Sequence, residues 1–113
     1  MLKMEIVMDK EKLINDGYDY TKAVAIICNG LKQAGFIEEL NDSSNKECHI
    51  IYRGTNSNKD FAYFGLVYKK LVAQQWFKNV CKEWYLLNDS RTKNGEFLIA
   101  GNFIETAKEF GRW

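Results

Sequence analysis

His49 is the only histidine in the chain, and Cys48 stands beside it. Imidazole and thiol together serve nucleophilic catalysis, where the ring takes the thiol proton, and zinc binding, where both are ligands. The segment around them, Cys48 to Arg53, holds Ile50, Ile51 and Tyr52 and is expected to be a strand. Adjacent side chains on a strand point to opposite faces, so the two do not readily form a dyad or share an ion. Cys28, Cys48 and Cys81 are odd in number and widely spaced. That pattern fits small buried hydrophobes better than a disulfide framework or a zinc site. Neither a metal nor a cofactor is expected. Asp89, Arg91 and Glu96 gather acid and base around one loop, where charged residues are ordinarily solvated. Ser90 to Gly101 has Asn94-Gly95 at the middle of a calcium-loop spacing, but Ser90 and Gly101 stand where that loop needs carboxylates. No Gly-rich phosphate loop and no nucleophile elbow occur. The balance favours a chain that is not an enzyme, although catalysis by Asp, Glu, Lys or Tyr leaves no motif.

The stretch Lys59-Asp60-Phe61-Ala62-Tyr63-Phe64-Gly65-Leu66 resembles the aromatic strand motif of RNA-recognition domains. Lys59, Phe61, Ala62 and Tyr63 match it; Asp60, Phe64 and Leu66 depart from it. The resemblance implies bases stacking on Phe61 and Tyr63 from an open sheet face, with Lys59, Lys69 and Lys70 nearby for phosphate. An aromatic core strand explains the same residues and is preferred, because Met4 to Met8 offers no partner aromatic and Asp60 brings negative charge. Leu31 to Leu40 with Ile50-Ile51-Tyr52 also resembles the helix-to-wing passage of winged-helix DNA-binding domains. That fold requires two more helices upstream than the preceding residues hold, and the helix offers only Lys22 and Lys32 as cations.

Met4, Ile6 and Met8 alternate as a first strand, and Asp9 to Asp16 forms a short helix stopped by Gly17. Asp19 or Thr21 caps a longer helix whose Ala23, Ile27, Leu31 and Ala34 recur at helical spacing. Gly35 ends it, with Phe36 packing back. Phe36 to Leu40 and Cys48 to Arg53 are strands flanking the polar stretch Asn41 to Lys46. Phe61 to Lys69, apolar on both faces when read in alternation, is expected as the central strand. Val72, Trp76 and Val80 then repeat every fourth residue, which predicts a second helix from about Leu71 to Trp84. Glu96 to Ala100 reads as a last strand. Asn102 with Glu105 forms a capping box for a final helix, Phe103 to Phe110, that docks through Phe103, Ala107 and Phe110.

Leu40-Asn41-Asp42-Ser43 after one helix echoes Leu87-Asn88-Asp89-Ser90 after the next, which suggests strand–helix–strand twice. The expected fold is therefore α+β. It has an antiparallel or mixed sheet of four to five strands, two main helices on one face in a ferredoxin-like βαββαβ order, and a short C-terminal helix. The sheet core would hold Ile50, Tyr52, Phe61, Tyr63 and Val67, covered by Val24, Ile27, Leu31, Val72, Trp76, Phe77 and Val80.

The length of 113 residues suits one domain, residues 1–113, and 46% hydrophobic residues with a net charge of +1 exclude a disordered chain. The near-neutral balance also gives no global basic excess for nucleic acid. No apolar run approaches a membrane span, and the first residues do not read as a signal peptide, so a cytoplasmic protein is expected. Aromatics at 14% exceed what one small core needs. Trp76, Trp84 and Trp113 are the expected interface anchors. The leading expectation is thus a small non-catalytic inhibitor or adaptor acting through a protein partner, of a kind that phages and mobile elements carry. A single-stranded nucleic-acid module using Phe61, Tyr63, Lys59 and Lys69 is the second, and a small-molecule or nucleotide-binding domain the third. A homo-oligomer is compatible with all three.

Overall fold

The computed structural model describes residues 1–39, 48–90 and 92–113. Arg91, the polar stretch Asn41 to Lys46 and the whole Leu40–Ser43 half of the echo lie outside the described residues. Strand β1 (Leu2–Met8) sits in the middle of a five-stranded antiparallel sheet of order β2-β3-β1-β4-β5. β3 (His49–Arg53) and β4 (Cys81–Asn88) flank it; β2 (Ile37–Glu38) and β5 (Leu98–Asn102) form the edges. The register places Met4 between Tyr52 and Leu86, and Ile6 between Ile50 and Trp84. Those rows make one sheet face continuously apolar, and all six residues are buried.

The helices cover that face. α1 (Lys10–Asn15) and α2 (Tyr20–Gln33) connect β1 to β2. The Asp9 and Asp19 carboxylates accept from the amides of Lys12 and Lys22, both at 3.0 Å. Each occupies a donor that the first helical turn leaves unpaired. α2 buries Ala23, Ile27 and Leu31 as expected. It ends in a Schellman motif: Phe36 N–H donates to the Leu31 carbonyl and Gly35 N–H to that of Lys32, with Gly35 at φ +93. Phe36 then stacks on Phe64, centroids 3.8 Å apart. α5 (Phe103–Glu109) starts at Asn102, whose side chain accepts from Glu105 N–H at 3.1 Å. Its Ala107 is buried, but Phe110 is exposed and does not dock.

The chief departure is residues 61–69. They are helical, inside α3 (Asp60–Val72), and not a central strand. The buried residues Asp60, Phe64, Val67, Leu71 and Val72 lie at helical spacing, and Phe61 and Tyr63 face away from the core. Asp60 in the first turn and Lys69 and Lys70 in the last match the helix dipole. The central strand is β1 instead. The expected helix from Leu71 to Trp84 is also divided. The chain turns extended at Gln74, makes the short α4 (Gln75–Val80), and passes directly into β4. Trp84 is therefore a strand residue. The expected strand from Glu96 appears two residues later, as β5.

Strand β1 pairs with both β3 and β4, so the connection through α1 and α2 steps over β3, and the one through α3 and α4 steps over β1. Both antiparallel pairings on β1 thus come from long-range contacts. Among the described residues no helix is long and apolar enough to cross a membrane.

Candidate functional site

The aromatic residues divide into an enclosed group and an open one. Trp84 is fully buried and touches the rings of Tyr68, Phe77, Phe103 and Trp113, with centroids 4.9 to 6.2 Å away. It ties α3, α4, α5 and the last residue of the chain to the sheet. Burial of this kind makes Trp84 a core residue and withdraws it from any surface role; Trp113, packed on Trp84 and Phe77, is half-buried beside it.

The open group lies on the outer side of α2 and α3. Ile26 is 55% exposed and Leu66 53%, and Tyr18 and Tyr63 stand beside them. A furrow of three adjoining hollows runs along α2: the first two open between α2 and α3, the third between α2 and Trp76 of α4. The first, about 410 Å³, is walled by Ala34, Gly35, Tyr63 and Leu66. The second, about 230 Å³, is walled by Ile26, Leu71 and Trp76, and shares Gly30, Val67 and Lys70 with the first. The third, about 290 Å³, is walled by Tyr18, Lys22 and Ala23, and shares Ile26 and Trp76 with the second. Gly30 contributes by lacking a side chain: α2 is smooth there, with open space above its Cα.

Two lysines, Lys22 and Lys70, stand in the furrow walls, and Asp19 is the one carboxylate among the described lining residues. α2 and α3 carry Lys22, Lys32, Lys69 and Lys70. The only carboxylate within either helix is Asp60, which is 3% exposed at the far end. It accepts from the Thr55 hydroxyl at 3.1 Å and from the Ser57 amide at 3.2 Å, and so organises its own loop. Asp19 reaches the furrow's other end, where its carboxylate is engaged as the cap of α2.

The expected site residues are thus dispersed. Tyr63 and Trp76 line the furrow, and Lys69 lies exposed on α3 just outside it. Phe61, 69% exposed, and Lys59 lie at the opposite end of α3, near a separate hollow of about 290 Å³ that also involves Met1, Asn56 and Asn88. Phe61 and Tyr63 are two residues apart on a helix, on nearly opposite sides of it, and cannot form a two-base stacking platform. Ile26, Leu66 and Tyr18 are the furrow residues that the sequence did not single out as a site. An outward-facing aliphatic on a helix declares itself only once the neighbouring helix is known.

The sheet face away from the helices is mixed: Val7 and Ile51 are buried on it among paired polar side chains. His49 Nε2 lies 2.8 Å from Glu5 Oε2, and Lys3 Nζ lies 2.7 Å from Glu39 Oε1 and 3.8 Å from the centre of the Phe97 ring. His49 thus turns to a carboxylate across the strand, and Cys48, at φ +47, precedes the strand. A hollow of about 500 Å³, larger than those of the furrow, lies beside β5; the described residues that line it, Asn88, Ser90, Leu98, Ile99 and Ala100, are not titratable. Among the described residues no three His, Cys, Asp or Glu side chains stand together as a metal site. Burial pushes the Cys81 thiol up to about 12 and raises that of Cys28, where the Tyr52 hydroxyl beside it works in the opposite direction. Neither is an activated nucleophile.

Protein-family models, curated proteins and solved structures yield no match to this chain.

Proposed function

We propose that this chain is a small non-catalytic binding module that acts through a protein partner, and that the outer face of α2 and α3 is where it docks. The observation that carries this reading is the furrow itself: a concave, largely apolar surface along α2, bounded by α3 and by Trp76 of α4, on elements whose inner sides are buried in the core. Exposed apolar side chains gathered around a concave surface mark interaction sites. Tyr63, Trp76 and Tyr18 on its walls are of the types that anchor interfaces. The three cysteines are free thiols, which fits a cytoplasmic setting.

The test is gel filtration followed by a pull-down from host lysate, with wild type beside Leu66→Asp. A partner retained by wild type and lost by the variant is the expected result. A partner retained equally by both moves the site elsewhere; self-association lost by the variant makes the partner a second copy.

A further inference from the structure

We infer that the occupant of the furrow is an acidic amphipathic helix of the partner protein. This inference rests on the docking reading above and adds the chemistry of what docks. Three observations carry it.

The first is spacing. The three hollows follow α2 in steps of four residues: Gly30 to Ala34, then Ile26 to Gly30, then Lys22 to Ile26. Four residues of α-helix advance about 6 Å, close to the ~5.4 Å pitch of a helix lying alongside. A partner helix would thus present one apolar side chain per turn to one hollow per step, the i, i+3/i+4, i+7 pattern of helix-in-groove recognition. The span from Lys22 to Ala34 is about 18 Å, which holds roughly 12 residues of partner helix.

The second is charge. Lys22 and Lys70 stand in the furrow walls, while Asp19, the lining carboxylate, is engaged as the cap of α2. Neither ammonium group takes part in an ion pair among the described residues. Carboxylates flanking an apolar stripe would meet them, and a basic helix would be repelled.

The third is the shape and make-up of the floor. Ile27, Val67 and Leu71 are aliphatic and recessed. Nucleobases bind flat aromatic plates, whereas Tyr63 stands alone at the first hollow and Tyr18 and Trp76, which share the third, are tilted 48° to each other. A bilayer takes apolar side chains from a protruding surface, and a furrow cannot supply them.

The experiment is selection of helical peptides from a random 16-residue display library on the intact protein. Anisotropy titration of the selected peptides follows, in low and in high salt. Selected peptides are expected to carry apolar residues at i, i+3/i+4 and i+7 with two or more Asp or Glu beside them. Leu66→Asp and Ile26→Asp are expected to weaken them by roughly tenfold or more, as loss of a central apolar anchor does. The pair Lys22→Glu with Lys70→Glu is expected to weaken them by about fivefold at low salt, and by less at high salt. Phe61→Ser, outside the furrow, is expected to change nothing. Peptides that need Leu66 and Ile26 but are neutral or basic overturn the acidic helix and leave the docking reading standing. Peptides indifferent to both aspartate variants, or no selected peptide at all, overturn the two together. Binding of a 12-nucleotide poly-uridine or of phosphatidylserine vesicles in place of any peptide does the same and names the class that replaces it.

Discussion

Trp76 and Trp84 are eight residues apart and have opposite roles. Trp84 lies on β4 in the row Ile50–Ile6–Trp84, facing the helices, and is shut in by four rings. Trp76 lies on α4 on the solvent side of Phe77, touches Tyr18 and Phe77 with centroids 6.2 and 6.1 Å away, and walls two of the three hollows. The lesson concerns what an aromatic surplus means. Much of it here is structural: three helices must be fastened to the Met4–Ile6 face of the sheet by side chains long enough to reach across. Rings at the junction of α3, α4 and α5 do this with large buried area and pairwise ring contacts worth about 0.5–1.5 kcal/mol each. What remains for binding is the smaller set left outside by the helical period.

The sharpest way to test this division is chemical. Cys81 opens β4, three residues before Trp84, and belongs to the enclosed region. Its thiol is raised from 9.0 to about 12, a difference of about three units that lowers the thiolate fraction at pH 8 by roughly a thousandfold. Iodoacetamide at pH 8, followed by mass spectrometry, is expected to leave Cys81 unmodified in the native protein and to label it fully in denaturant. Reaction is expected to appear only as the pH climbs towards 12, because a raised thiol pKa keeps the group neutral below it. Rapid labelling at pH 8 would mean that the start of β4 is open. On the same side of the comparison, Trp84→Ala removes the hub of the cluster. It is expected to cost about 3–5 kcal/mol, the usual range for a buried aromatic, read as a lower urea midpoint.

The sequence carries the enclosed region better than the open one, and the reasons are local. Asp9, Asp19 and Asn102 sit one residue before helices and cap them, Gly35 ends α2, and Met4, Ile6 and Met8 alternate; each is a signal readable without tertiary structure. Phe61 to Lys69 is not, because nearly every position is apolar or aromatic, and both a two-residue and a 3.6-residue period pass through it. The Phe64–Val67–Leu71 spacing and the charges at the two ends favour the helix. The aromatic content, typical of strands, points the other way, and packing decides. At β4 the every-fourth-residue series Val72, Trp76, Val80 runs on by coincidence to Trp84, and no glycine or proline separates α4 from the strand. Of the furrow, Tyr63 and Trp76 were legible as binding types, but their proximity to Ile26 and Gly30 depends on α2 lying beside α3, which no local pattern encodes.

The smallest expected effect tests the open region from the stability side. If Ile26 and Leu66 serve a partner and not the core, Ile26→Asp and Leu66→Asp should change the stability of the isolated protein by no more than about 0.5 kcal/mol, the range of surface substitutions. Replacing an aliphatic by a carboxylate is severe wherever the side chain is enclosed. Here each side chain is already more than half in water, and the new charge would be solvated at once and close to unpaired lysines. Urea denaturation of the two variants beside Ile27→Asp, one residue along α2 and 1% exposed, supplies the contrast. Ile27→Asp should abolish folding while its neighbour is silent. A loss of several kcal/mol from Ile26→Asp would instead return the furrow wall to the core and leave α2 without a free apolar face.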